Sequence, residues 1–252
     1  MKRKKSEMPS GPSALLEHMT ARGWAMDRVI LNQMVMIVNR HLWGERLHPA
    51  EIAAVTDRRA EEPEQQYNVI DGLAVIPVSG VIAKYSRLVN NASQPRGTSL
   101  ERLREQLQSA MADAAVQSIF LQIESPGGSV TGLADFAEEL YTASHSKAII
   151  AFADDLAASA AYWLGSQANA FYASPRAVVG SIGVYSLVVE STAAAEKQGL
   201  KIHILRTGEH KGVGAPGTAI TNENLKVLRT QVDLAFTDFL GAVLRGRAEA
   251  GL

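Results

Sequence analysis

The chain has 252 residues, 46% of them hydrophobic and 20% charged, a composition that suits one sizeable α/β domain plus an extension. Lys+Arg of 25 against Asp+Glu of 26 gives a formal net charge of −1, so no global field draws it to nucleic acid or anionic lipid, and the basic run Lys2-Arg3-Lys4-Lys5 reads as a solvated terminus. The absence of cysteine excludes disulfides, a thiol nucleophile and a thiolate metal site; with no apolar run near the roughly 18 residues that span a bilayer and no secretory-type segment before Pro12, a cytoplasmic protein without a membrane anchor is expected.

Residues 13 to about 60 read as two or three helices, with Val29, Ile30, Met34, Ile37 and Val38 on one apolar face. Together with the polar stretch Glu61 to Gln66 they make an N-terminal helical extension and linker over residues 1–66, ahead of the main domain over 67–252. From Leu73 to Val78 the texture changes to short β-rich runs alternating with helices, the pattern of a mostly parallel sheet covered by helices. Thr98-Ser99-Leu100-Glu101 has capping-box form, and Leu100, Leu103, Leu107 and Met111 follow as a buried stripe. The strand Ile119 to Ile123 turns at Ser125-Pro126-Gly127-Gly128 into a helix with Leu133, Phe136, Ala137, Leu140 and Tyr141 inside, then into the strand Ala148 to Phe152. The rhythm continues through a helix from Ser159 to Ala168, a strand at Phe171-Tyr172, a helix from Glu190 to Gln198 closed by Gly199, a strand from Lys201 to Arg206, and a last helix from about Thr221.

Four segments could carry chemistry. Ser159 stands among small residues after a strand and a short loop, where the first amides of the following helix point; it reads either as a nucleophile with the Ala160 N–H as oxyanion donor, or as a plain N-cap. Gly127 and Gly128 open a helix after a buried strand, so they either supply a second oxyanion N–H or form a tight turn. Val179-Gly180-Ser181-Ile182-Gly183-Val184 is a Gly-flanked strand in which Ser181 could hold a catalytic amine, with a β-bulge as the alternative. Lys211, in Gly208-Glu209-His210-Lys211-Gly212, could be a general base. A lysine acting so must shed its proton, which desolvation in a closed site favours, so this role requires Lys211 to be enclosed rather than an ordinary exposed loop residue.

In order and spacing these segments, over residues 71 to about 245, resemble the signal peptide peptidase A family of serine proteases, peptidase family S49, which shares its fold with the Clp protease and crotonase superfamily. The resemblance implies repeated ββα/βα units around a mostly parallel sheet, Ser159 as nucleophile, Lys211 as general base, Ser181 orienting the lysine, and oxyanion donors at Gly127 or Gly128 and at Ala160. It implies no cofactor and no metal, a peptide or protein substrate, and a homo-oligomer in which serine and lysine can come from neighbouring subunits. Gly23-Trp24-Ala25-Met26 and the helix after it look like the amino-terminal region of the phage head-maturation branch, whose substrates are scaffold, portal or other head proteins. That branch places the protein in the host cytoplasm or the procapsid; peptide clearance of the bacterial signal-peptide-peptidase kind is the alternative. Members usually continue past the last helix with a strand and a helix, so either the domain is truncated after Leu252 or its edge is finished differently.

Other readings have weaker support. A crotonase-like acyl-CoA enzyme would need carboxylates such as Asp154 and Asp155, which precede the serine in a protease-like segment. A non-catalytic assembly scaffold would have no use for both Ser159 and Lys211. Gly212 to Gly217 formally fits G-x-G-x-x-G, but Pro216 interrupts the place where a helix should begin. His145, His203 and His210 have no Gly-x-Ser-x-Gly elbow to serve, although His210 beside Lys211 could line a cleft.

Overall fold

A computed structural model describes residues 24–26, 67–85 and 97–248. The strands are Trp24–Met26 (β1), Asn68–Ile70 (β2), Leu73–Ser79 (β3), Ile82–Ala83 (β4), Thr98–Ser99 (β5), Ser118–Ser125 (β6), Gly127–Ser129 (β7), Ala148–Ala158 (β8), Ala170–Ala173 (β9) and Val178–Gly180 (β10). The helices are Leu100–Ala112 (α1), Leu133–Ser144 (α2), Ala160–Gly165 (α3), Thr192–Lys197 (α4) and Asn222–Ala248 (α5).

The main sheet has the order β10-β8-β6-β3-β2, with β9 also pairing along the first half of β8. Every pairing in it is parallel except the β2–β3 hairpin. The period-2 alternation of Ala74, Ile76 and Val78 on β3 and of Ile119, Leu121 and Ile123 on β6 buries one face. Against it lie the helical stripes Leu100, Leu103 and Leu107 of α1 and Leu133, Phe136 and Leu140 of α2, all in one core cluster. A smaller sheet of order β1-β7-β4-β5 stands beside it, continuous with β6 through Pro126.

The long α5 is anchored by its C-terminal part. Phe239 stacks on Trp163 of α3 with ring centroids 4.6 Å apart and planes 5° from parallel, a fully buried aromatic pair worth about 1 kcal/mol beyond its area. Arg247 Nε donates to the Ser166 carbonyl at 3.0 Å and its Nη2 to the Ala168 carbonyl, while Gln167 Nε2 donates to the Ala242 carbonyl at 3.2 Å. Burial lowers the Arg247 pKa from its ordinary value. Leu225, Leu234 and Leu244 of the same helix are exposed.

Several expectations are corrected. Ser99, not Thr98, caps α1, accepting the Arg102 N–H at 3.4 Å, because the Thr98 hydroxyl is taken by the Ser79 carbonyl. No loop precedes Ser159: β8 continues through Asp154-Asp155 to Ala158, with a register shift opposite Ile123 and Ser125. Lys201 to Arg206 is irregular rather than a strand. Its alternating Ile202 and Ile204 meet no ladder and pack beside Gly217 and Gly212 instead. The Gly-flanked strand ends at Gly180, because Ser181 takes φ +54. Within the stretch expected to be helical, Trp24–Met26 is extended; the remainder of residues 1–66 lies outside the described residues.

Candidate active site

At the end of β8 the chain reverses at Ser159, with φ 56 and ψ −118, and enters α3. Among the described residues only Asp71, Ser159 and Ser181 combine a side chain with positive φ, a conformation that costs about 1–3 kcal/mol where a side chain is present. The turn is possible because its flanks are small: Ala157, Ala158, Ala160 and Ala161 are all completely buried. It is held by two backbone bonds, from the Ser159 N–H to the Gly180 carbonyl at 2.7 Å and from the Trp163 N–H to the Ser159 carbonyl at 2.9 Å. Ser159 is 1% exposed and its Oγ has no hydrogen-bond partner. It occupies the N-cap position of α3 without capping it, which sets the plain N-cap reading aside. A buried unpaired hydroxyl carries a desolvation cost of about 1–3 kcal/mol, so this residue is held against its own stability.

The strand register supplies its neighbours. Gly180 pairs with Ala158, so Ser181 follows its strand where Ser159 follows the adjacent one. On the other side Ser125 pairs with Ala157, which brings Gly127 and Gly128 alongside; they lie in strand β7 and do not open a helix as expected, since α2 begins only at Leu133. Ser159 therefore stands between the Ser181 and Gly127 segments at the carboxyl ends of three adjacent parallel strands, the usual place for a ligand in an open α/β sheet.

Both glycines have structural duties. Gly127 has φ +98, and its N–H donates to Ser125 Oγ at 3.2 Å; that hydroxyl in turn donates to the Gly80 carbonyl at 2.6 Å. A Cβ at Gly128 would run into the Ile82 carbonyl of β4. Ala160 begins α3, where first-turn amides have no intrahelical acceptor. Sequence reasoning missed the Gly180 carbonyl and Ser125, whose roles depend on strand register; the Ser125-Pro126 and Val179-Gly180 steps were the available signals.

Lys211 is not brought to this cluster. It is exposed, in a loop where its own N–H reaches the Gly208 carbonyl at 3.5 Å, and it makes no hydrogen bond to Ser159 Oγ. Ser181 is exposed as well, and so is His210. Lys211 thus lacks the enclosure its expected role requires, and Lys201 to Arg206, expected as a strand, is irregular and exposed as well.

Residues 142–250, which include Ser159, Ser181 and Lys211, match the sequence profile of Peptidase family S49. This segment is similar to peptidase family S49. Relatives extend the match over more of the chain. The "Capsid assembly protease C" of Escherichia phage lambda is 32% identical over 184 residues, which are 73% of this chain and 42% of that protein. The "Head-tail preconnector protein GP5" of Enterobacteria phage P21 is 31% identical over 175 residues, 69% of this chain and 34% of that protein. The chain thus spans 42% and 34% of the lengths of these two relatives. Among solved structures, an enoyl-CoA hydratase from Mycobacterium avium subsp. paratuberculosis K-10 aligns over 73% of this chain and 79% of its own, at 14% identity and a TM-score of 0.34, a likeness too loose to bear on activity.

Proposed function

We propose that the chain is a serine endopeptidase that acts on phage head proteins during capsid maturation, with Ser159 as nucleophile and Lys211 as general base. The observation that carries this reading is Ser159 itself: strained, buried and unbonded at the carboxyl end of the sheet, within the S49 segment. Head proteins enter as substrates because the two phage relatives are named for capsid assembly and the head–tail connection.

In the catalytic cycle neutral Lys211 Nζ removes the proton of Ser159 Oγ as that oxygen bonds to the scissile carbonyl carbon. The oxyanion is held by the Ala160 N–H and by that of Gly127 or Gly128; if Gly127 serves, its N–H leaves Ser125 Oγ for the substrate. Collapse of the adduct breaks the C–N bond, and the lysine ammonium protonates the leaving amine. Water then gives a proton to Lys211 while its oxygen attacks the acyl carbon, and as the ester bond to Ser159 breaks the lysine ammonium returns that proton to Ser159 Oγ. Ser181, beside Ser159 in register, positions the amine. Lys211 has to reach the site either by closure of the segment after Gly199 or from a second copy of the chain. No described helix is long and apolar enough to cross a membrane; the host cytoplasm or the procapsid is where this reading puts the enzyme to work.

The test is incubation of the full chain, and of Ser159→Ala and Lys211→Ala, with scaffold and portal proteins encoded by the same genome. Cleavage lost in both variants supports the reading. Cleavage that survives either substitution contradicts the assignment, and cleavage of unstructured peptides alone favours the clearance role.

A further inference from the structure

The Gly127–Ser129 strand beside Ser159 is already occupied. Strand β1 pairs with it antiparallel, Trp24 opposite Ser129, Ala25 opposite Gly128 and Met26 opposite Gly127. On its other side β7 pairs with β4 at Ile82, so β1 fills the one remaining edge. That edge adjoins the nucleophile, since α3, which starts directly after Ser159, packs against β7, and Ser125 just before β7 pairs with Ala157 just before Ser159.

We infer that Trp24–Met26 is a built-in occupant of the strand-accepting edge at Gly127–Ser129 and keeps an extended peptide from reaching Ser159 until it is displaced. This rests on the reading of Ser159 as nucleophile and adds a means of regulation to it. A β-strand edge recognises an incoming chain mainly by main-chain hydrogen bonds, which one extended segment can supply as well as another. The chain's own segment and a substrate therefore compete for the same N–H and C=O groups. Three features suit β1 to be a removable occupant. It is three residues long, it is the outermost strand of its sheet, and β7 is its sole strand partner among the described residues. A short edge strand with one neighbour belongs to the least stable part of a fold. Displacement exposes the β7 edge without disturbing the main sheet, because no pairing of β6, β8 or β10 involves β1.

The natural absence of cysteine allows a clean test on the full chain. A Trp24→Cys/Ser129→Cys double variant places thiols on directly opposed residues, and hydrolysis of an unstructured fluorogenic peptide is followed with and without oxidant, Ser159→Ala giving the background. Cross-linking of these positions, with Ser159-dependent hydrolysis at least tenfold slower in the oxidised than in the reduced form, is the expected result. A cross-link that leaves the rate unchanged overturns the inference and leaves the nucleophile standing. Failure to cross-link overturns the pairing itself. Absence of Ser159-dependent hydrolysis in either state removes the catalytic reading and this inference with it. The triple variant Trp24→Pro/Ala25→Pro/Met26→Pro, which cannot donate along the ladder, serves if the cysteine pair misfolds; it is expected to exceed the parent rate several-fold, and a rate at or below the parent's counts against self-blocking.

Discussion

The carbonyl of Gly180 accepts the N–H of Ser159 at 2.7 Å. This bond joins the ends of two adjacent parallel strands at the point where each meets a serine with positive φ, Ser159 at +56 and Ser181 at +54. Strain that costs stability is thus concentrated on one short line across the sheet, and the packing of small alanines around Ser159 keeps it there.

Substitution Ser159→Gly should therefore stabilise the protein while abolishing hydrolysis. Glycine adopts φ 56 without strain and removes a buried hydroxyl that has no partner. Against a gain of about 1–3 kcal/mol stands the extra unfolded-state entropy of glycine, about 0.5–1 kcal/mol. Urea denaturation should show a net gain of about 1 kcal/mol for Ser159→Gly and a smaller one for Ser159→Ala, which keeps the strained φ. A loss of stability in Ser159→Gly would mean that the turn is not strained.

Gly128→Ala should be strongly destabilising, since the new methyl meets the Ile82 carbonyl and must push β7 from β4. Overpacking of this kind costs about 1–3 kcal/mol, and a clash with backbone falls at the upper end. Thermal unfolding read by circular dichroism checks this, and an unchanged melting temperature contradicts the close approach of the two strands.

Phe239→Ala tests whether α5 supports the nucleophile's helix. Phe239 is fully buried on Trp163, whose N–H is bonded to the Ser159 carbonyl. The expected loss is about 3–5 kcal/mol, with peptide hydrolysis falling more than the folded fraction does. Loss of stability with normal specific activity would show that the stack holds α5 without positioning Ser159.

Much of the main sheet was legible because its strands and helices bury one face each. The alternation in Leu73 to Val78 and Ile119 to Ile123, and the helical stripes from Leu100 and Leu133, specify the type of each element and the face it buries. Ser159 was legible as a candidate from its run of alanines, but not its φ, which depends on the Gly180 carbonyl brought by strand pairing. Pattern failed where pairing decides. Lys201 to Arg206 alternates like a strand yet has no ladder, and Trp24–Met26 gains its extended form from β7, a distant neighbour in sequence. Lys211 was singled out from its glycine-rich loop and the family resemblance, neither of which encodes where that loop packs.

Lys211 is exposed and makes no hydrogen bond to Ser159 Oγ, so mixed assemblies can tell which copy supplies the base. If the base comes from a second copy, Ser159→Ala and Lys211→Ala chains, each inactive alone, should regain activity when mixed, to about a quarter to a half of the parent. If the segment after Gly199 closes within one chain, the mixture stays inactive. Peptide hydrolysis after co-refolding distinguishes the two.

The most direct test of Ser159 as nucleophile is treatment of the full chain with a fluorophosphonate, followed by peptide mass mapping of the adduct. A single phosphonylated residue at Ser159, absent from Ser159→Ala and accompanied by loss of hydrolysis, is the predicted result. An adduct on another serine that tracks the loss of activity, or hydrolysis that continues with Ser159 fully labelled, would contradict it.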